Sequence, residues 1–483
     1  MDFIAVILFI ILYHIRPHEW IGAAAALRPA MVTMLMALYG TFTRENGFSL
    51  ALLLKTPHDW LMLAYFGWIV VTAPSPVETF KSSYSLFLYY YVIVLALSSV
   101  ERIRKFLACW AIMVVVVACL AVASEFGFDP MHGQDMTQGM MKGRLILNVS
   151  IFQNPNALGH SMVPAFGMLY FLYFWKRFFA VKLSMLPMVA MLAWCLFLTV
   201  SKGAFLSAFA TALAGYSFRR PLIVKVLIGV VSITVGWAAL KSLPRMQELD
   251  RPSAEGGIQG RVWVFRWGLH TFFNTSNGVG WEHFAEGFAR HSGFPKAPHS
   301  SYVAVGAELG KPGLCLFIAI IYACFATLVR AKTEDDEVER IRRVLFVMVV
   351  AYVVSSWMVG WSSRASFFVM IAVVGAYQRQ LLGLNEKLPS VEAPARVRRR
   401  VKPASEPVVE TNAPSMPPAV PIRRRHRRQL PPAATAPVDK AQTPAPKPEP
   451  GIKWNSFSWK DYVMVGICTY AVVRIWSYAI STM

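Results

Sequence analysis

Long runs of apolar residues, rather than alternating or helically spaced apolar positions, dominate the first 380 residues of the chain. A bilayer core is about 30 Å thick, so a helix that crosses it needs roughly 20 mainly apolar residues. Because a spanning segment must satisfy its backbone internally, and these runs do not alternate like barrel strands, they predict helices. The predicted spanning helices lie near residues 3–16, 21–42, 58–73, 84–99, 104–123, 156–175, 182–199, 203–218, 222–240, 301–329, 344–360 and 364–380.

Both ends of the chain need separate interpretation. The first apolar run has the length of a signal-peptide core, but Asp2 stands in place of a basic region and no small-residue cleavage site follows. An uncleaved helix is therefore predicted there. Residues 462–480 are also apolar, but Arg474 within them is costly at membrane depth unless it pairs or reaches the interface. The pattern predicts an all-α, polytopic transmembrane helical bundle of about twelve helices, with a candidate thirteenth at 462–480.

Basic residues alternate in number from one connection to the next, which predicts the orientation of the bundle. One set of connections carries many basic residues: Arg44, Lys55, Arg102, Arg104, Lys105, Lys176, Arg177, Lys182, Arg219, Arg220, Lys225, Arg330, Lys332, Arg340, Arg342 and Arg343. The alternate short connections carry Arg16, Lys81, Lys202 and Arg364. Since cytoplasmic connections carry the basic excess, the N-terminus is predicted to be cytoplasmic, and loops 124–155 and 241–299 are predicted to lie outside.

Residues 383–457 differ in composition from the rest of the chain. Half of the 30 prolines fall here, with basic clusters at 398–400 and 423–428. Such a segment cannot bury enough apolar surface to fold, so a disordered, Pro/Arg-rich cytoplasmic linker is predicted. It would join a transmembrane domain at 1–382 to a C-terminal membrane helix within 458–483. The basic clusters are either a solvated retention signal or contacts for anionic headgroups.

The overall composition supports a membrane class and excludes several others. Hydrophobic residues make up 55% of the chain and charged residues 16%, against about 25% charged in soluble domains. The net charge of +21 reflects topology and the linker, and no aromatic-interleaved platform indicates nucleic-acid binding. The six cysteines lie in apolar runs without a Cys-x-x-Cys pair, so neither a disulfide framework nor a metal site is predicted.

The densest polar chemistry lies in the predicted outer loop 241–299. Its segment 261–273 has helical apolar spacing, with Arg266 and His270 one turn apart. An arginine such as Arg261 offers a fork of donors that suits phosphate oxygens, and an imidazole such as His299 can take a proton from a hydroxyl. The structural alternative is that these arginines reach toward headgroups and that His299 caps a helix.

Two charges stand at costly positions on the same predicted face. A carboxylate such as Glu308 within an apolar helix usually faces a polar cavity, although a salt bridge to Arg364 or Lys202 is the alternative. Lys202 opens a predicted helix, where the helix dipole disfavours a cation. It therefore indicates either a nearby anion or a lysine that extends to the interface. His18 and Glu19 on the first outer turn are weaker candidates.

Turn-forming residues complete the set of candidates. Asn154 is predicted to cap the sixth helix, with Pro155 at its first helical position. Asn156 follows directly in the same motif. Gly278 and Gly280 permit a turn with close backbone approach.

The order of these motifs resembles the O-antigen ligase and polymerase superfamily. The resemblance rests on Phe-x-Asn154-Pro-Asn156, Ser201-Lys202-Gly203-Ala, Gly260-Arg261, Gly278-Val-Gly280, and His299 followed by Glu308-x-Gly310. It covers about residues 150–315. Lys202 stands where the family usually has arginine, and Ser300 stands where asparagine usually follows the histidine. Lysine keeps the charge but lacks the bidentate fork of arginine.

The resemblance implies a GT-C-like, metal-independent glycosyltransferase without a cofactor, located in the bacterial inner membrane. Such a protein would move a glycan from an undecaprenyl-pyrophosphate carrier to a lipid, glycan or protein acceptor on the periplasmic side. The resemblance assigns catalysis to His299, Arg261 and Glu308, pyrophosphate binding to Lys202, Arg261 and Arg266, and supporting roles to Asn154, Asn156, Gly278 and Gly280.

Three other interpretations are open at the level of sequence. A polymerase of the same superfamily would use the same motifs, with the growing glycan as acceptor. A transporter would carry internal repeats and ionisable residues near the membrane midplane, but no convincing repeat is found, and loop 241–299 is richer in polar residues than gating requires. A scaffold for a surface-polymer assembly complex is supported mainly by the basic linker.

Overall fold

The computed structural model describes residues 1–43, 53–218, 220–224, 226, 227, 229, 230, 234, 256–384 and 451–482. The main helices are α1 (Asp2–Ile15), α2 (Pro29–Phe42), α3 (Pro57–Val71), α4 (Pro76–Ala96), α5 (Val100–Ser124), α6 (Pro155–Leu169), α7 (Phe179–Leu198), α8 (Lys202–Ser217), α9 (Gly256–Asn274), α10 (Phe284–Ser292), α11 (Ser301–Arg330), α12 (Asp336–Ser355), α13 (Ala365–Leu381) and α14 (Trp459–Thr482). Shorter segments are Pro17–Trp20, the 3-10 helix Gly22–Leu27, Gln134–Gln138, and the π-helical turn Tyr170–Phe174 that continues α6.

The all-helical class is confirmed, but the predicted count of spanning helices is not. By length and composition, six described stretches could cross a membrane: Asp2–Trp20, Val100–Ser124, Pro155–Phe174, Phe179–Leu198, Ser301–Arg330 and Trp459–Thr482. Helices α3, α8 and α13 form near their predicted positions with 15, 16 and 17 residues, fewer than the roughly 20 that a span needs. Most residues of the predicted helix 222–240 and of the predicted linker fall outside the described residues. The GT-C-like fold stays a prediction.

Two helices begin earlier than the apolar pattern indicated. Helix α4 was expected from residue 84 and begins at Pro76, while α12 was expected from residue 344 and begins at Asp336. The first turns of both carry charged residues, among them Glu78 and Glu339, which interrupt the apolar run without interrupting the helix. Polar first turns are typical where a helix extends beyond its apolar span.

Local capping accounts for where many helices begin. Proline, whose missing N–H costs nothing at a helix start, occupies the first turn at Pro29, Pro57, Pro76 and Pro155. Side-chain oxygens accept hydrogen bonds from the first backbone amides at Ser99, Asn154, Ser201, Ser300 and Asp335. The predicted Asn154 cap, with Pro155 at the first helical position, is confirmed.

The helix termini gather at two ends of the bundle. At one of them, called the site end below, the starts of α6, α8 and α11 meet the end of α12. The Ser201 hydroxyl donates to Asn156 Oδ1 at 2.9 Å, which joins α8 to α6. The Ser301 N–H donates to Ser356 O at 2.7 Å, which joins α11 to the residue after α12.

The opposite end is held by buried ionic and polar contacts. Arg379 Nη2 of α13 donates to Asp59 Oδ2 of α3 at 2.9 Å, and both side chains are buried. Asp461 at the start of α14 accepts hydrogen bonds from Arg330 Nη2 at 2.6 Å and from Trp454 Nε1 at 3.1 Å. These contacts attach the C-terminal helix to the end of α11.

The candidate thirteenth span forms as α14 and packs along the helix that carries Arg261. Trp476 is fully buried, and its Nε1 donates to Phe265 O of α9 at 3.0 Å. Its ring lies against Gly268 of α9 and Gly306 of α11. One face of helix α9 therefore packs against α11 and α14.

Candidate functional site

The first part of the candidate site joins the start of α6 to the turn before α8. The Asn156 N–H donates to the Asn154 side chain at 2.8 Å, which orients the first turn of α6. Asn156 Oδ1 accepts from Arg144 Nη2 at 2.8 Å and from the Ser201 hydroxyl at 2.9 Å. Arg144 Nε also donates to Thr199 O at 3.1 Å. Asn156 therefore links three segments, whereas Asn154 caps its own helix.

Lys202 occupies the first position of α8, directly after the Ser201 cap. The next residue, Gly203, faces α6 and the segment that follows α12. A Cβ atom on Gly203 would lie 3.0 Å from His160 Nε2 and 2.5 Å from Met358 Sδ. Glycine at this position therefore lets the first turn of α8 approach the His160 imidazole and Met358 closely.

His160 is a polar residue of this region that the sequence analysis did not select. It lies in the second turn of α6 and is 1% exposed. Its Nδ1 shares a hydrogen bond of 2.8 Å with Ser355 Oγ at the end of α12. Its Nε2 has no hydrogen-bond partner within the part of the chain that the structure describes. In the sequence, one histidine in an apolar helix resembles a core residue, and only its spacing of one turn from Asn156 could have indicated the site.

His299 stands directly before α11 in a constrained backbone. Its φ of 48° lies in the left-handed region, which is uncommon for residues other than glycine. The two residues that follow are held by the segment after α12: the Ser300 hydroxyl donates to Ser356 O at 3.2 Å, and the Ser301 N–H donates to the same oxygen at 2.7 Å. His299 as a residue is exposed, although the groups packed around its ring remove part of the hydration of the imidazole. The site end therefore presents this imidazole to the surroundings on a fixed support.

Arg261 lies near the start of α9, close enough to His160 and His299 for its charge to act on both imidazoles. Loss of hydration lowers the pKa of His299 from its ordinary value, and the charges of Arg261 and Lys296 lower it further. The Lys296 ammonium lies beside Gly260, next to Arg261 in the chain. A lowered pKa keeps His299 unprotonated near neutral pH, which is the state that can accept a proton.

The turn that contains Gly278 and Gly280, which precedes α10, packs against α11 near Ala307 and Glu308. The Val279 N–H donates to Ala307 O at 3.0 Å, and the Gly280 N–H donates to Glu308 O at 2.9 Å. Gly278 has a φ of 77°, and a Cβ there would overlap the backbone of Glu308. Only glycine permits both this conformation and this approach.

Glu308 is buried two turns into α11, and it contacts the backbone of the next helix. Its Oε1 accepts a hydrogen bond from the Phe284 N–H at 3.3 Å, at the start of α10. Among the described residues Glu308 forms no ion pair, so the alternative salt bridge to Arg364 or Lys202 is not formed. The carboxylate holds the loop between α9 and α10 against α11, and its described contacts do not include His299.

Glu282, in the same turn, is a second polar residue that the sequence analysis did not select as a site residue. Its φ is 60°, again in the left-handed region. Loss of hydration raises the pKa of Glu282, while the charge of Arg364 and a hydrogen bond from Ser363 oppose that rise. The turn before α10 is thereby connected to the turn before α13.

The predicted site residues therefore form two groups. Arg261 lies close enough to His299 and His160 for its charge to act on both. Lys202 precedes Gly203 in the chain, and Gly203 faces His160. The second group joins Gly278, Gly280 and Glu308. Arg266 belongs to neither group: it is exposed on α9, five residues or roughly 7.5 Å along the axis from Arg261.

A comparison with protein families finds a match in the middle of the chain. Residues 186–318 match the family model for O-antigen ligase. The matched segment contains seven of the nine predicted site residues, Arg266 among them, and it excludes Asn154, Asn156 and His160. No curated protein sequence matches the chain. The family match supports assignment of the chain to the O-antigen ligase superfamily and a ligase- or polymerase-like function at a membrane.

Proposed function

We propose, on the premise that this chain belongs to the O-antigen ligase superfamily, that it transfers a glycan from an undecaprenyl-pyrophosphate carrier to an acceptor hydroxyl. The observation that carries the proposal is the meeting of Arg261 and His299 at the site end, beside Lys202 and His160. Two cations and two imidazoles together suit a reaction in which a phosphate-bearing group leaves and a hydroxyl loses a proton. An O-antigen ligase would use a lipid, glycan or protein as acceptor.

The cations would act on the leaving group. As the bond between the anomeric carbon and the pyrophosphate oxygen breaks, its electron pair stays on the pyrophosphate. Arg261, which carries a guanidinium fork, and Lys202, which carries a point charge, would stabilise that negative charge. Arg266 is a lesser candidate because it lies further along α9. The pyrophosphate is an activated leaving group, so the proposal requires no metal ion or cofactor.

His299 would act on the acceptor. The acceptor oxygen attacks the anomeric carbon, forms the new glycosidic bond, and passes its proton to the imidazole. The lowered pKa of His299 leaves the ring unprotonated near neutral pH, and its exposure leaves it open to a large acceptor. The hydrogen bonds of Ser300 and Ser301 to Ser356 would maintain its position during the reaction.

Glu308 would have a positioning role. Its carboxylate accepts a hydrogen bond from the Phe284 N–H. Together with the backbone hydrogen bonds of Val279 and Gly280, this contact holds the loop between α9 and α10 against α11. A neutral amide of the same shape could keep this contact in part, whereas alanine could not. We therefore expect Glu308→Gln to retain more transfer activity than Glu308→Ala.

The proposed location is the inner membrane of a bacterium, with the site end periplasmic and the N-terminus cytoplasmic. The described basic residues support this orientation. The basic residues at the opposite end are Lys176, Arg177, Arg330, Lys332, Arg340, Arg342, Arg343 and Arg379. Four of them, namely Lys176, Arg177, Arg330 and Arg379, form ion pairs with acidic residues of other helices. Cytoplasmic ends of membrane proteins carry such an excess of lysine and arginine.

The test is the carrier-lipid and surface-glycan profile of a deletion strain. Complementation with the wild-type protein should restore surface glycan, whereas Arg261→Ala and His299→Ala should leave carrier-linked glycan to accumulate. Arg290→Ala and His291→Ala are matched controls, since both residues are exposed at the end of α10, and both variants should restore the profile. Full activity of Arg261→Ala would overturn the assignment.

The same profile separates the two superfamily activities. Without a ligase, long carrier-linked polymer accumulates. Without a polymerase, single repeat units remain on the carrier. An unchanged profile in the deletion strain would contradict glycan transfer altogether.

A further inference from the structure

His160 combines three properties that its place in an apolar helix does not require. It is 1% exposed, its Nε2 lacks a hydrogen-bond partner among the described residues, and that nitrogen faces the first turn of α8. Buried polar atoms are nearly always paired, so an unpaired one indicates a partner that binds from outside. We infer that His160 Nε2 and the start of α8 together bind a phosphate group of the donor, an inference that rests on the proposed function.

The start of α8 suits an anion. The first amide groups of a helix have no partner within the helix, and the helix dipole places partial positive charge there. Helix α8 has 16 residues, so its dipole is well developed. The Gly203 amide belongs to this first turn, and the absence of a side chain at Gly203 lets the turn approach His160 and Met358 closely. Phosphate groups bind at helix starts of this kind.

The Ser355 contact occupies Nδ1 and is compatible with either tautomer of His160, and the inference requires the tautomer with its proton on Nε2. In the proposed site the Ser355 hydroxyl donates to Nδ1, from which it is 2.8 Å distant. The ring proton is then on Nε2, which faces α8 as a hydrogen-bond donor. A donor is what a phosphate oxygen requires.

The surrounding charges agree with an anionic ligand. Arg261 acts electrostatically on His160, and Lys202 is the residue next to Gly203 at the helix start. Lysine lacks the directed fork of arginine. The Nε2 donor of His160 would supply the directed hydrogen bond that Lys202 does not.

The experiment measures binding of inorganic pyrophosphate to the purified full-length protein, together with the KM for lipid-linked donor. His160→Asn keeps an amide near the position of Nδ1 and loses the group at Nε2, whereas His160→Gln can place an amide donor near Nε2. A hydrogen bond to a charged group is typically worth about tenfold or more in affinity. We expect His160→Asn to weaken pyrophosphate binding and raise donor KM by about tenfold, with a smaller change in kcat, and His160→Gln to stay within about threefold of wild type.

Gly203→Ala provides a second variant that leaves the imidazole intact. Its new methyl group would overlap Met358 Sδ and crowd His160 Nε2, so pyrophosphate binding should weaken here as well. Thermal unfolding midpoints of all three variants, compared with that of the wild type, identify any variant that is merely misfolded.

Two outcomes overturn the inference: pyrophosphate binding that His160→Asn and Gly203→Ala leave unchanged, or wild-type protein that does not bind pyrophosphate. Equal losses in His160→Asn and His160→Gln would also contradict a role of the Nε2 donor. If the wild type binds pyrophosphate but transfers no glycan, the proposed function is wrong, whereas the inference about His160 is not. If Arg261→Ala abolishes transfer while His160→Asn has no effect, the proposed function holds and only the inference about His160 is wrong.

Discussion

At the scale of single residues, the site end holds side chains in conformations that the chain does not adopt freely. His299 and Glu282 both have left-handed backbone, with φ of 48° and 60°. Such conformations cost of the order of 1 kcal/mol or more and persist only where the surroundings enforce them. The contacts of Ser300 and Ser301 with Ser356 provide that enforcement for His299. Its position is therefore maintained by the neighbouring helix, which agrees with a role that requires fixed geometry.

The pH dependence of transfer should reflect the cations beside His299. Because the pKa of His299 is lowered, its unprotonated form persists below the usual value of about 6.5, and transfer should decline only at lower pH. Lys296→Ala removes one of the charges that oppose protonation, so the pKa should rise and the acid limb should move to higher pH. The measurement is kcat/KM between about pH 5 and 8.

Arg290→Ala is the control for that experiment, because Arg290 is an exposed cation of the same loop that is not among the groups acting on His299. Its acid limb should coincide with that of the wild type. A Lys296→Ala profile that shifts to lower pH would contradict His299 as the group that must be unprotonated.

At the scale of elements, helix α9 depends on a helix that lies outside the family match. Its residue Phe265 accepts the Trp476 hydrogen bond, and the Trp476 ring fills the space between Gly268 and Gly306. Arg261 stands on the same helix one turn before Phe265. The C-terminal helix α14 therefore helps to determine where the Arg261 guanidinium lies.

Trp476→Ala should weaken both stability and transfer. Truncating a fully buried tryptophan leaves a cavity and typically costs about 3–5 kcal/mol, and the freed α9 would hold Arg261 less firmly. Trp476→Phe keeps most of the packing and loses only the hydrogen bond, so it should be milder. Thermal unfolding of the purified protein and kcat/KM for glycan transfer measure the two effects.

Trp459→Ala on the same helix is the matched control, since Trp459 is 71% exposed. It should change neither quantity appreciably. Normal kcat/KM in a folded Trp476→Ala protein would mean that α14 does not position α9.

At the scale of the whole molecule, a buried ion pair joins distant parts of the sequence at the end opposite the site. Asp59 and Arg379 are 320 residues apart and 2.9 Å from each other. Asp59 also accepts hydrogen bonds from Tyr90 Oη at 2.9 Å and from the Thr56 N–H at 2.8 Å. One carboxylate thus connects α3, α4 and α13.

Arg379→Leu should destabilise the protein strongly while sparing the chemistry. It leaves the Asp59 carboxylate buried without its cation, which typically costs about 3–5 kcal/mol. Because the pair lies at the opposite end from Arg261 and His299, kcat/KM per folded molecule should change little. The thermal unfolding midpoint and the rate of transfer are measured on the same samples.

The double variant Asp59→Asn with Arg379→Leu removes both charges and should recover part of the lost stability. Lys105→Leu, which breaks an exposed pair with Glu101, should have almost no effect because surface ion pairs contribute little. A midpoint in Arg379→Leu equal to that of the wild type would contradict the importance of the buried pair.

The amino-acid sequence by itself determined the helical class and most helix positions, and it supplied the first members of the candidate site. Apolar runs, helix-starting prolines and capping side chains such as Asn154 act within a few residues, so their consequences can be predicted locally. The motif order around Arg261, Gly278 and His299 agreed with the family match for the same reason, since a family pattern is a property of the sequence. The number of spanning helices was predicted less well, because length and burial of a short helix depend on its neighbours.

Only the tertiary structure decided which of these residues meet. His160 shares a hydrogen bond with Ser355, which is 195 residues away. Its Nε2, which has no hydrogen-bond partner among the described residues, faces Gly203 of another helix, so its spacing from Asn156 was the only local signal. For Glu308 the sequence left a polar cavity or a salt bridge open, and the packing of the glycine turn places the Phe284 N–H against its carboxylate. Such pairings depend on how helices pack side by side, because packing brings together groups that the order of residues keeps far apart.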